Sequence, residues 1–297
     1  MDFQSALRDF RPKYDYFVGI DSDGCVFDSM EVKQKEFFIP VALKYFNLFP
    51  ISKIVRETWE FVNLYSVNRG GNRFPSLVKV FDLLSERVEI REMGYKLPDL
   101  TPLKAWISSE TKLGNASLKK YYAGNKDKTI GLVLDWSEAV NREINEWLRR
   151  VPPFRHAVKT IEKLSQMADI IVISQTPLEA LEREWIENDI RKYVRMIAAQ
   201  EHGTKAEHIA LAAEGKYAEG KIILIGDAIG DMNAADRNNA LFFPIAPGRE
   251  DYSWENFLEQ GLERFLTGTF RGDYQKSLID GFKELLPEIP PWKSGPH

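Results

Sequence analysis

Five short apolar runs constrain the fold of this chain most. The first, Phe17 to Ile20 in "YFVGIDSDG", runs straight into Asp21. "DIIVIS" ends at Ser174, "VRMIAA" at Ala199, "KIILIGD" at Asp227 and "ALFFPI" at Ile245. All are rich in β-branched or aromatic residues and have the length of a strand buried on both faces. Helical patterns separate the later ones. "FRHAVKTIEKLSQM" repeats apolar residues at Ala157, Ile161, Leu164 and Met167. "PLEALEREWIEND" starts with Pro177, which suits a first helical turn. "TKAEHIALAAEG" has Thr204 as a cap and Gly215 as a stop. This alternation, from about 154 to 245, predicts a Rossmann-like α/β core with a doubly wound parallel sheet.

The stretch from 30 to 150 reads differently. "EVKQKEFFIPVALKYF", "SKIVRETWEFVNLY", "PSLVKVFDLLSERV" and "WSEAVNREINEWLRRV" all have helical periodicity, and strand-like alternation is scarce. The expected organisation is an α/β core from 1–29 and 151–297, with a helical cap domain of 30–150 inserted after the first strand. The two prolines of "RRVPPF" mark the exit from the insert. The proline-rich tail, "LPEIPPWKSGPH", is expected to be irregular.

Composition excludes more than it assigns. The chain has 297 residues, 44% hydrophobic and 28% charged, with a formal net charge of −4. That balance gives no electrostatic reason to expect nucleic acid or an anionic membrane as partner. No apolar run is long enough to span a bilayer. The single cysteine, Cys25, cannot form an intramolecular disulfide. With no secretory signal visible at the start, the expectation is a cytoplasmic protein without membrane or nucleic-acid partners.

In open α/β sheets, ligands bind beyond the carboxyl ends of the strands. Asp21, Asp23, Ser174 and Asp227 all fall there. Close carboxylates repel and are costly to bury, so a positive group should offset them, and a hard divalent cation is the first candidate. Asp23 returns toward the same side if the chain turns at Gly24; one carboxylate then serves as nucleophile and the other handles protons. The blander alternative is a solvated turn with Asp28 as a helix cap. Ser174 and the Gln175 and Thr176 backbone N–H groups form an anion site, or Ser174 or Thr176 merely caps a helix. Lys205 opens a helix, where a cation is mildly unfavourable, which points to a negative partner. "LIGDAIGD" sets Asp227 at a strand end, with Asp231 four residues later.

In order, "DSDGCVFD", "IVISQTP", "TKAEH" and "LIGDAIGD" resemble the motifs of the haloacid dehalogenase superfamily. They span residues 21 to 231, and the insert resembles that family's helical cap, although it is longer than a simple four-helix one. Cys25 departs from the Thr or Val usual at its position and reads as packing. The resemblance implies a Mg2+-dependent phosphatase acting on a small phosphorylated metabolite. Asp21 would attack phosphorus; Asp23 would protonate the leaving oxygen and then activate water. Mg2+ would be held by the Asp21 carboxylate, the Asp23 backbone carbonyl and Asp227, with Asp231 orienting the metal shell. Ser174, Gln175 and Lys205 would hold the phosphoryl oxygens. An acid at Asp23 sets the chain apart from dehalogenase relatives, which need no such proton donor. A phosphomutase or phosphotransferase with the same core, a catalytically silent binding protein and a receiver-type domain are the alternatives.

Within the insert, "SVNRGGNRFPS" breaks the helical pattern at Gly70 and Gly71. One reading is an exposed connection with solvated arginines. The other has Arg69 or Arg73 binding the non-reacting part of a substrate, since the guanidinium fork suits carboxylate or phosphate.

Overall fold

The computed structural model describes residues 3–293. The last four residues of the proline-rich tail lie outside the described residues. The chain packs as two compact units. The first holds the chain up to Met30 and Arg150–Pro287; the second holds Glu31–Arg149 and the chain from Glu288.

The first unit is built on a parallel sheet of five strands: β1 (Phe17–Ile20), β2 (Asp169–Ile173), β3 (Met196–Ala198), β4 (Ile222–Gly226) and β5 (Leu241–Pro244). Their order is β3-β2-β1-β4-β5, the doubly wound arrangement that the alternation of runs predicts. Apart from the first residues of β3 and β4, every strand residue is buried. That is why the runs read as continuously apolar. On one face Phe17, Ile171, Ile173, Leu224 and Phe242 pack against Ile209, Ala212, Met232 and Phe282 from the covering helices. Ile20 of β1 is in register with Val172 of β2 and with Ile225 of β4. The three strands therefore end within one residue of each other. The order reverses direction at β1 and β4, where the sheet opens a crevice beyond the strand ends.

The second unit is helical. Its main helices are Ile39–Tyr45, Ser52–Leu64, Arg73–Glu86, Thr101–Ser109, Asn115–Asn125 and Lys128–Trp147. Trp59, Trp106, Trp136, Phe46, Phe74 and Phe81 fill its interior. The pattern over "EVKQKEFFIPVALKYF" does not form one regular helix. Lys33–Phe38 widens into a π-helical stretch, and the N–H of Ile39 bonds back to the Gln34 carbonyl, five residues earlier. Pro40 follows at once; it has no N–H to offer the carbonyl four residues back, so the widening falls where regular pairing would fail anyway. Among the described residues no helix is long and apolar enough to cross a membrane.

One boundary differs from the sequence reading, which placed everything from 151 onward with the sheet. The segment after Pro287 goes with the helical unit. Trp292 meets Phe61 edge to face at 5.4 Å and lies under the Arg87 guanidinium at 4.6 Å. The prolines stop the preceding helix, and the tryptophan finds an aromatic partner there.

Candidate active site

Asp21 follows the last residue of β1, and its N–H donates to the Ile225 carbonyl of β4 (3.0 Å), so the strand pairing itself fixes it. Its side chain is buried. Oδ2 pairs with Lys205 Nζ at 2.8 Å. Oδ1 is buried and has no hydrogen-bond partner among the described residues. Lys205 opens the helix Lys205–Ala213, whose N-terminus is closed by a reciprocal Thr204–Glu207 capping box. Its ammonium also bonds Asp231. Burial alone would lower the pKa of Lys205; the two carboxylates outweigh that and raise it. The Asp21 carboxyl is pushed well above its usual range, first by burial and then by Asp231 and Asp227, with Lys205 opposing.

Asp227 follows β4 and is fully buried. Asp231 lies in the first turn of the helix Ile229–Arg237, where its Oδ2 accepts the N–H groups of Asp227 (3.2 Å) and Ala228 (3.1 Å). A carboxylate there also gains from the helix dipole. Gly226 makes the arrangement possible: a Cβ at that position would lie 2.6 Å from the Asp231 side chain. Oxygens of Asp21, Asp227 and Asp231 lie within 4.8 Å of one another.

Asp23 is half-buried in the turn after β1, where Gly24 takes a φ of +79°. The N–H groups of Cys25, Val26 and Phe27 all converge on the Ser22 carbonyl (3.3, 2.9 and 3.2 Å), which tightens the turn. Ser29 Oγ donates to Asp23 Oδ1, and Thr176 Oγ1 donates to Asp23 Oδ2 at 2.6 Å. Cys25 is buried, its thiol against the Ile225 carbonyl, and burial pushes its pKa up. Ser174 is buried at the end of β2, and its hydroxyl accepts the Thr176 N–H at 3.2 Å, which leaves its own proton for another acceptor. The Gln175 side chain is exposed and donates to the Gly203 carbonyl at 3.0 Å. It thereby laces the loop after β2 to the loop that carries Lys205.

One end of the sheet therefore gathers Asp21, Asp23, Ser174, Lys205, Asp227 and Asp231, although 210 residues separate the first from the last. The sequence reading did not single out Ser29, and it considered only the backbone N–H and a capping role at Thr176. The available signal was a hydroxyl residue just past "DSDGCVFD" and a second one inside "IVISQTP".

Arg69 and Arg73, the two arginines that the sequence marks beside Gly70 and Gly71, have hydrogen-bond partners within the second unit. Arg69 is buried, and its Nη1 donates to the Leu64 carbonyl at 2.9 Å. Arg73 Nη1 donates to the Ser137 carbonyl (3.2 Å), the Ser137 hydroxyl (2.9 Å) and Asn141 Oδ1 (2.8 Å), while its guanidinium covers the Phe38 ring at 5.0 Å. Burial lowers its pKa to about 10. Neither is the solvated connector arginine of the blander reading.

No protein-family model matches the chain, and no curated protein does. Solved structures match in fold. A protein from Bacteroides fragilis, assigned as a haloacid dehalogenase-like hydrolase, is 13% identical with a TM-score of 0.51, over 81% of this chain and 93% of that one. One from Bacteroides vulgatus, assigned as a beta-phosphoglucomutase, is 12% identical with a TM-score of 0.47, over 86% and 92%. A haloacid dehalogenase-like family hydrolase from Streptococcus pneumoniae is 15% identical with a TM-score of 0.42, over 85% and 97%. The chain has the haloacid dehalogenase-like fold.

Proposed function

We propose that the protein is a Mg2+-dependent phosphatase that hydrolyses a small phosphorylated metabolite through an aspartyl-phosphate on Asp21. The observation that carries this reading is the state of the Asp21 carboxylate: buried, with one oxygen on Lys205, the other without a hydrogen-bond partner among the described residues, and the carboxylates of Asp227 and Asp231 close by. The donor set fits a hard divalent cation, since three carboxylates bring oxygens within 4.8 Å of one another there. Asp21 and Asp227 would hold Mg2+ with the Asp23 backbone carbonyl, and Asp231, fixed by Lys205 and two N–H groups, would support them. Bound there, Mg2+ supplies positive charge against the phosphoryl oxygens.

The chain's own groups do the rest. An Asp21 oxygen attacks phosphorus while Lys205 and the Ser174 hydroxyl hold the equatorial oxygens in line. Asp23 gives its proton to the leaving oxygen. It then takes one from the water that opens the aspartyl-phosphate.

The test is a screen of phosphorylated metabolites with Mg2+, run beside an EDTA control. Turnover is expected only with the metal. Asp21→Asn should abolish it, because an amide is a poor nucleophile and a weaker ligand. A variant within tenfold of wild type would sink the assignment.

A further inference from the structure

We infer that Thr176 is a positioning residue for proton transfer, its hydroxyl holding the Asp23 carboxylate in place. This inference rests on the phosphatase reading. Thr176 immediately precedes the cap position of the next helix, so its hydroxyl is a candidate cap. Here Pro177 takes the cap position of Leu178–Glu187, and no side-chain cap bond forms. The Leu178 N–H goes instead to the carboxylate of Glu201. The Thr176 hydroxyl is thus released from capping and turned onto Asp23 Oδ2, a residue 153 positions away in sequence.

The mounting is rigid. The Thr176 N–H donates to Ser174 Oγ, and its carbonyl accepts the Gln200 N–H at 3.2 Å. A β-branched side chain on a fixed backbone has few rotamers. Ser29, fully buried, holds the other Asp23 oxygen. An aspartate side chain otherwise turns about two torsions, so these bonds restrict where its oxygens point. A hydroxyl suits the task because it can donate or accept. The contact survives whether or not Asp23 carries a proton.

The bond from Asp21 oxygen to phosphorus forms while the bond from phosphorus to the leaving oxygen breaks. The leaving oxygen takes that electron pair and the Asp23 proton. In the second half a water oxygen bonds phosphorus, Asp23 takes a water proton, and the broken Asp21–phosphorus bond returns its pair to Asp21. A misaligned Asp23 slows the first half most when the leaving group is a poor one.

Two aryl probes that share the phenyl phosphate unit separate this role from others: phenyl phosphate, and p-nitrophenyl phosphate with its far better leaving group. The readout is kcat/KM, which reports the step that forms the aspartyl-phosphate. Thr176→Val, close in shape, should lose ~10-fold or more with phenyl phosphate, part of the ~10²–10⁴-fold that general acid catalysis supplies. With p-nitrophenyl phosphate it should lose less than about threefold. Thr176→Ser should recover most of the phenyl phosphate rate. The ratio of the two rates on one preparation does not depend on the folded fraction, so Thr176→Ala serves equally if the valine variant folds poorly. Equal losses with both probes would place the hydroxyl on the phosphoryl group or in the fold and overturn the inference. An unchanged ratio without loss would do the same. Wild type that turns over neither probe would sink the phosphatase reading, and this inference with it.

Discussion

Lys205 occupies the first turn of a helix, where a cation is mildly disfavoured, yet it sits largely buried between two aspartates. Removing one partner of a buried pair leaves the other charge uncompensated, at ~3–5 kcal/mol. Lys205→Met should therefore lower stability by about 3 kcal/mol near pH 8. The sign with pH follows from Asp21. Its carboxyl is held above the ordinary value, so the folded chain keeps a proton that the unfolded chain gives up, and stability falls as pH rises above about 4. Without Lys205 that fall should steepen. Urea unfolding of both proteins at pH 5 and pH 8, without metal, checks it: the deficit of the variant should be smaller at pH 5. A deficit independent of pH would mean lost packing in place of lost charge. Asp21, Ser174 and Asp227 were legible in the sequence because each ends an apolar run. The grip of Thr176 and Ser29 on Asp23 was not, since a hydroxyl's partner is set by loop geometry and leaves no periodic trace.

The strands were legible as elements because both faces are buried, and the long helices because their apolar residues repeat. The sequence pattern does not reveal Asn115–Asn125 or Thr101–Ser109. The first buries only Leu118 and the second only Leu103 and Trp106, too few for a clear period. The helix Lys205–Ala213 was placed from its cap and stop, but one of its residues behaves unexpectedly. His208 is fully buried, and neither ring nitrogen has a partner among the described residues. Burial pushes its pKa down to about 4, helped by His202 and Lys205 and opposed by Glu207. Its unfolded value is about 6.5. The unfolded chain therefore binds a proton between these values that the folded chain refuses. The stability contribution is complete above about 6.5 and is lost as pH falls toward about 4. At pH 4.5 the loss should reach about 2.5 kcal/mol. His208→Leu removes the titrating group. The difference in unfolding free energy between wild type and variant should shift by about that amount from pH 7.5 to 4.5. A constant difference would show that the imidazole is not desolvated.

At the scale of the whole molecule, the chain passes from one unit to the other three times: after Met30, after Arg149 and after Pro287. The first two passages follow from a helical insert in an α/β core, and the sequence marks the second with the prolines of "RRVPPF". The third was hidden, because a proline-rich tail has no periodicity and its docking depends on a single tryptophan. Trp292 lies against Phe61 and Arg87. Arg87 is itself buried and paired with Glu57 and Glu89, so the guanidinium face it offers is well fixed. Lys293 adds an ion pair with Glu86 at the end of the helix Arg73–Glu86. Surface ion pairs contribute little, whereas an aromatic contact and a guanidinium over a ring each contribute ~0.5–1.5 kcal/mol or somewhat more beyond the area covered. Trp292→Ala should thus cost about 2 kcal/mol, and Lys293→Ala less than about 0.5. Because Phe61 and Arg87 belong to the helical unit, the cost should be local. Amide hydrogen exchange reads this directly. The helix Ser52–Leu64 should exchange faster in Trp292→Ala, while the amides of β1 and β4 keep their protection. If the strands lose protection to the same degree, the segment stabilises the molecule as one cooperative body, and the assignment of the tail to the helical unit alone is wrong.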